Sequence, residues 1–219
     1  MPDLSILLDG FPGGHGPLGL LSSDEFTAPA AAFDRALHVQ GKTVGLILDA
    51  DHDSAAQNEA RARAHFGRLG AETLTLDMHT NDALPDYDIA YVAGGSPSDL
   101  LRCLRDSARW LDVRTRWKHG KALAGSSAGA MVLCTYMLTP KPGDRVPTKW
   151  SEGLGPIATA ALAVHARTRP KEWLDEVARN APVRLLAIDD ATGIVLGPGD
   201  SVITAGEGRV WFVPRPSRA

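Results

Sequence analysis

Short, nearly continuous apolar runs alternate along this chain with longer stretches whose apolar residues recur every three or four positions. The runs read as buried strands and the stretches as amphipathic helices. The strands, in order, are "LSILLDG" (4–10), "KTVGLILDA" (42–50), "AETLTLDM" (71–78), "YDIAYVAGG" (87–95) and "KALAG" (121–125). Helical spacing marks "FDRALHV" (33–39) and "SAAQNEARARAHFGRLG" (54–70), with Ser54 as N-cap and Gly70 past the end. It also marks "SPSDLLRCLRDSARWLDVRTRWKHG" (96–120), as one or two helices, and "SAGAMVLCTYML" (127–138). Strand–helix alternation predicts a three-layer α/β sandwich around a mostly parallel, flavodoxin-like sheet. The last third changes period: 185–213 is a series of short β runs split by Gly-Pro-Gly-Asp and Gly-Glu-Gly turns, expected as antiparallel hairpins at one edge. The segment 139–156 is rich in Pro and Gly and reads as a long loop.

Composition narrows the class without changing that picture. The chain has 219 residues, 44% hydrophobic and 22% charged, with a formal net charge of -3. This suits a single domain over residues 1–219. Without a basic stripe, nucleic acid is not expected as a partner. No apolar run approaches the roughly 18 residues that span a bilayer, and the N-terminus lacks a signal-peptide pattern, so no membrane role and a cytoplasmic location are expected. Cys103 and Cys134 fit no metal-binding spacing and read as buried core residues. No metal or organic cofactor is implied.

Candidate chemistry centres on "GSSAG", Gly125 to Gly129, between the run 121–125 and the stretch that follows. Gly-x-Ser-x-Gly at a strand-to-helix junction is the nucleophile-elbow pattern. The sharp turn exposes the hydroxyl of Ser127 and aims the next N–H, that of Ala128, at a developing oxyanion. A glycine turn capped by Ser126 or Ser127 explains the same residues more simply. A nucleophilic serine needs a base. Of the seven histidines, His38 and His65 lie on helical stretches. His119 and His79 have no distinguishing context, His15 sits in a glycine-rich segment, and His52 follows a strand within "DADHDS". His165 ends the apolar run "ATAALAVH", a suitable place for a base. Asp189 and Asp190 end another run and point to opposite faces if extended, so one of them can orient an imidazole.

Four motifs in order resemble the aspartyl dipeptidase (peptidase E) and cyanophycinase family of serine peptidases: "YVAGGSPSDLLRCL", "ALAGSSAGAMVL", "EGLGPI" and "AIDDATGIVLGPG". The resemblance covers roughly residues 89–213. It implies a class I glutamine amidotransferase-like domain in which Ser127 is the nucleophile, His165 the general base and Asp190 the acid that orients it. It also implies an oxyanion hole formed by the N–H groups of Gly95 and Ala128. An Arg some residues past the His recognises the substrate's acidic side chain in the aspartyl dipeptidases; Arg169 is the first choice here and Arg167 the second. The chain departs from the family in having Asp where the triad acid is Glu, and Ala166 where Phe often follows the His. The resemblance implies hydrolysis of a small peptide, with N-terminal Asp as the preferred first residue. The alternatives are a cyanophycinase-like exopeptidase on β-linked Asp-Arg peptides and a non-catalytic amidotransferase-like binding domain. A homodimer is left open.

Overall fold

The computed structural model describes residues 3–9, 11, 14–48, 55–80, 82–141, 146–199 and 201–215. In chain order the elements begin with β1 (Leu18–Leu21), α1 (Ala31–Ala36), β2 (Thr43–Ile47), α2 (Ala55–Arg68), β3 (Glu72–Thr75) and β4 (Ile89–Val92). They continue with α3 (Pro97–Arg105), α4 (Ala108–Lys118), β5 (Ala122–Ser126), α5 (Ala128–Val132), β6 (Tyr136–Pro140) and β7 (Pro147–Glu152). The last are β8 (Ala160–Ala163), α6 (Lys171–Arg179), β9 (Arg184–Ile188), β10 (Gly193–Leu196), β11 (Val202–Ala205) and β12 (Val210–Phe212).

Among the described residues, seven strands form the main sheet in the order β11-β10-β1-β5-β4-β2-β3. The five strands from β1 to β3 run parallel, and β10 and β11 add an antiparallel edge. β8, β9 and β12 make a second sheet, and β6 and β7 a separate hairpin. Apolar side chains fill both faces of the main sheet. One core holds Leu123, Val92 and Leu100, and the other Phe33, Val44, Phe66 and Tyr91. Helices therefore cover both faces, as the alternating pattern predicts. No helix among the described residues is long and apolar enough to cross a membrane.

Four expectations are corrected. The run 4–10 is not a strand: Ser5–Leu8 is a 3-10 turn, because the Asp3 carboxylate accepts from the Ser5 N–H at 3.0 Å and its hydroxyl at 2.6 Å and starts a helical turn. The first strand is Leu18–Leu21, whose Gly19 leaves room for Phe33 and Leu37; an added Cβ would lie 2.8 Å from one ring and 2.9 Å from the other side chain. The helix expected over 127–138 ends at Val132, since the "EGLGP" segment captures the carbonyls that would extend it. Leu154 N–H donates to Val132 O, Ile157 N–H to Leu133 O, and Gly155 has no room there for a side chain. The segment 139–156 is not a long loop. It holds most of the β6–β7 hairpin, joined by Thr139 Oγ1 and Ser151 Oγ at 2.8 Å and tethered to α6 by Trp150 Nε1–H on Val177 O. The C-terminal β runs divide between two sheets instead of sharing one edge. The proposed Ser54 cap and His52 lie outside the described residues.

Candidate active site

The elbow is built by close backbone contact. β5 ends at Ser126 and α5 begins at Ala128, leaving Ser127 at φ 51, ψ -115, a conformation that costs a residue with a side chain about 1–3 kcal/mol. A Cβ on Gly125 would sit 2.3 Å from Gly129 O, and one on Gly129 would sit 2.1 Å from Val92 O. Both glycines are therefore required by packing of the turn upon itself and upon β4. The Ser127 N–H donates to Leu21 O at 2.9 Å, which pins the turn to the end of β1.

His165 follows β8 with φ 57, and its N–H donates to Ser22 Oγ at 2.8 Å. The same Ser22 hydroxyl donates to Ile188 O at 2.9 Å. These bonds aim the imidazole back at β5, with Nε2 3.0 Å from Ser127 Oγ and Nδ1 3.1 Å from Asp190 Oδ1. The structure thus brings Ser127, His165 and Asp190 into one hydrogen-bonded line. Asp189 faces the other way and accepts the Arg209 N–H at 2.9 Å, which distinguishes the two carboxylates. The turn after Asp190 is held by Ala191, at φ 51, whose N–H donates to Ser23 Oγ at 3.1 Å.

A cavity of about 200 Å³ opens beside this line. Its lining includes Ser127, His165 and Gly95, Arg169 and Trp173, and Leu138 and Pro147 of the hairpin. Trp173 Nε1–H donates to Pro147 O at 3.0 Å and holds the hairpin wall in place. Gly95 has φ 142, open only to glycine in practice, and Ala128 is fully buried at the start of α5. The Arg169 guanidinium lies 5.2 Å over the Trp173 ring, and its Nε is buried without a hydrogen-bond partner. Arg167 lies outside the cavity lining, exposed, with Nε 3.8 Å from Asp190 Oδ2.

The other candidates are accounted for elsewhere. His15 is buried between Phe11 and Trp117 and bonds Gly16 O. His65 pairs with Asp34 in the second core at 2.7 Å, while His38 is exposed and His119 caps its own helix through Thr115 O. Cys134 is fully buried, and burial pushes its thiol far up. Cys103 is only half-buried, packed against the core and 4.0 Å from His79 Nε2. Among the described residues no group of three or more His, Cys, Asp and Glu side chains is placed to hold a metal.

Sequence reasoning did not single out Ser22, Ser23 and Glu25, which support this line from the end of β1. The signal was the polar cluster "SSDE" directly after an apolar run, at the carboxyl end of a parallel strand, where α/β folds place their sites.

The model of peptidase family S51 matches residues 20–204. Among solved structures, a peptidase from an acI-B1 Actinobacterium superposes with a TM-score of 0.74 at 26% identity, over 92% of each chain. A protein described as peptidase E from Listeria monocytogenes EGD-e superposes with a TM-score of 0.69, covering 88% of this chain and 99% of its own. At 22% identity this likeness speaks for the fold. Among curated proteins none matches.

Proposed function

This chain belongs to peptidase family S51, the serine-peptidase family of peptidase E and cyanophycinase, and we propose that it hydrolyses short peptides through Ser127, His165 and Asp190, preferring an N-terminal Asp. The family match over residues 20–204 supports reading residues 1–219 as one peptidase domain.

The observation that carries the proposal is the unbroken line Ser127 Oγ–His165 Nε2 and His165 Nδ1–Asp190 Oδ1 at 3.0 and 3.1 Å, on the wall of a cavity. Asp190 accepts the Nδ1 proton, so Nε2 is left as the acceptor facing the serine. As Ser127 Oγ attacks the scissile carbonyl carbon, its proton passes to Nε2 and the carbonyl oxygen becomes an oxyanion. The N–H groups of Gly95 and Ala128 are the donors proposed for it. Collapse breaks the C–N bond, and the departing amine takes the proton from Nε2, leaving an ester on Ser127. Water attacks that ester with His165 again as base, and the serine is regenerated.

The cavity, about 200 Å³, is smaller than pockets for drug-sized ligands and suits a single residue. Arg169 supplies the positive charge on its wall, and a carboxylate is the natural partner for a guanidinium. These two features support a small acidic first residue. The test is a hydrolysis panel of dipeptides and short peptides beginning with Asp, Glu, neutral or basic residues, together with β-linked Asp-Arg, run on wild type and Ser127→Ala. Cleavage confined to Asp-first peptides and lost in the variant is expected. Cleavage of β-linked Asp-Arg alone would assign the exopeptidase reading instead. No Ser127-dependent cleavage of any peptide would sink the proposal.

A further inference from the structure

Glu25 lies between β1 and α1 and does not line the cavity, yet one of its carboxylate oxygens is committed to the elbow and the other to the turn after β4. Oε2 accepts the Ser126 hydroxyl at 2.7 Å and Oε1 accepts the Gly94 N–H at 3.2 Å. A Cβ built on Gly94 would lie 2.9 Å from Oε1 and 3.1 Å from the Cβ of Ser127, so Gly94 packs closely against both and has no room for a side chain. Ser126 is fully buried, and so is the Tyr91 side chain.

The backbone is strained on both sides of this residue. Asp24 has φ 61 and Phe26 φ 62, left-handed values that few residues with side chains adopt. Phe26 holds the second of these by packing against Phe66 at 5.9 Å and Tyr91 at 5.6 Å. Paired strain of this kind persists only where surrounding structure enforces it, and it concentrates at functional sites. Here its effect is to present one carboxylate to two loops that are distant in sequence.

We propose that Glu25 is a positioning residue that locks the Gly94–Gly95 turn to the Ser126–Ser127 elbow, setting the distance between the two N–H donors and the nucleophile. The inference rests on the serine-nucleophile reading above. With Gly94 N–H held by Oε1, the next peptide, whose N–H belongs to Gly95, is turned toward the cavity. With Ser126 Oγ held by Oε2, the end of β5 cannot rotate, and Ser127 keeps its unusual φ. Glu25 touches neither substrate nor reacting atoms; it acts through these two backbone segments.

The experiment compares wild type, Glu25→Ala, Glu25→Gln, Ser126→Ala and Ser127→Ala by the rate at which a fluorophosphonate probe labels the protein, and by kcat and KM on the best peptide of the panel. Glu25→Ala is expected to slow labelling and lower kcat by about ten- to a hundredfold, because small misplacements of reacting groups have costs of that size. KM should stay within about twofold and the midpoint of the pH–rate profile should not move, since the base and its acid partner are untouched. Glu25→Gln, which keeps one carbonyl for Gly94 N–H, should recover most of the rate, and Ser126→Ala should lose part of it. Should Glu25→Ala fail to fold, Glu25→Gln and Ser126→Ala carry the comparison through the labelling rate of correctly folded protein. Labelling of Glu25→Ala at the wild-type rate overturns the role, as does labelling of Ser126→Ala and Glu25→Gln at that rate when Glu25→Ala does not fold. A wild type that does not label, or a Ser127→Ala that does, would overturn the serine reading itself, and this inference with it.

Discussion

Ser126 and Ser127 are adjacent, yet their hydroxyls have different partners: the first donates to Glu25 at 2.7 Å, and the second lies 3.0 Å from His165 Nε2. β5 ends at the first of them, and the turn at Ser127, with φ 51 and ψ -115, sends the second hydroxyl to a different partner.

Ser127→Ala should therefore lower kcat by at least about 10⁴-fold while leaving the fold intact. Ser127→Gly should be equally inactive but more stable than Ser127→Ala by about 1 kcal/mol, because glycine accepts φ 51 without strain. Turnover assays and thermal melts of the two variants decide both points. An alanine variant that melts above the glycine variant would mean the elbow is not strained.

Asp190→Asn should reduce kcat by about 10³- to 10⁴-fold with little change in KM, since an amide no longer fixes the imidazole with its proton on Nδ1. Asp189→Asn should cost far less activity, because Asp189 bonds the Arg209 backbone and not His165. Steady-state kinetics of the pair will discriminate; equal losses would mean that the turn as a whole, and not one carboxylate, orients the base.

Arg169→Ala should raise KM for Asp-first peptides by about tenfold or more, the worth of one charge-assisted contact, and leave peptides with neutral first residues nearly unchanged. Arg167→Ala should show no such split, as Arg167 lies outside the cavity. A uniform rise in KM across the panel would remove Arg169 from recognition and assign it to packing on Trp173.

Asp34 and His65 form a buried pair in the second core, and Asp34 Oδ1 has no hydrogen-bond partner. Burial raises the Asp34 carboxyl above its ordinary 3.8, against the opposing pull of His65. A carboxyl with a raised folded pKa favours folding when protonated, so its contribution is complete below the ordinary value and is lost as pH rises through the raised one. The stability of wild type relative to Asp34→Asn should fall as pH rises from below 3.8 and then level off. Denaturant titrations at a series of pH values test the sign. A difference that grows with pH would mean that attraction to His65 outweighs burial.

Where an element faces one environment along its length, its pattern was legible. β2, β4 and β5 announced themselves as continuous apolar runs, and the positions of Ser127, His165 and Asp190 at run ends put them on one edge of the layers. Hidden were the places where tertiary contact overrides local pattern. Leu18–Leu21 is four residues long, buried on both faces and interrupted by Gly19, so it carries no alternation, while the denser run at Leu4 is turned by Asp3. With β1 unseen, the residues behind it, Ser22, Ser23 and Glu25, had no strand end to belong to. The stop of α5 at Val132 comes from the "EGLGP" segment packed against it, which nothing within the helix itself reveals.

The Ser22 hydroxyl has a wider consequence than the orientation of one imidazole. Ser127 belongs to the seven-stranded sheet, whereas His165 and Asp190 extend from strands of the three-stranded one. Ser22 joins the two, receiving the His165 N–H and giving its own proton to Ile188 O. Under the proposed reaction, hydrolysis is a gauge of how one sheet sits upon the other. A slip of an ångström at that seam would part His165 Nε2 from Ser127 Oγ while every strand kept its own hydrogen bonds. On heating, catalysis should fail several degrees before circular dichroism registers any loss of structure, and Ser22→Ala should widen that interval.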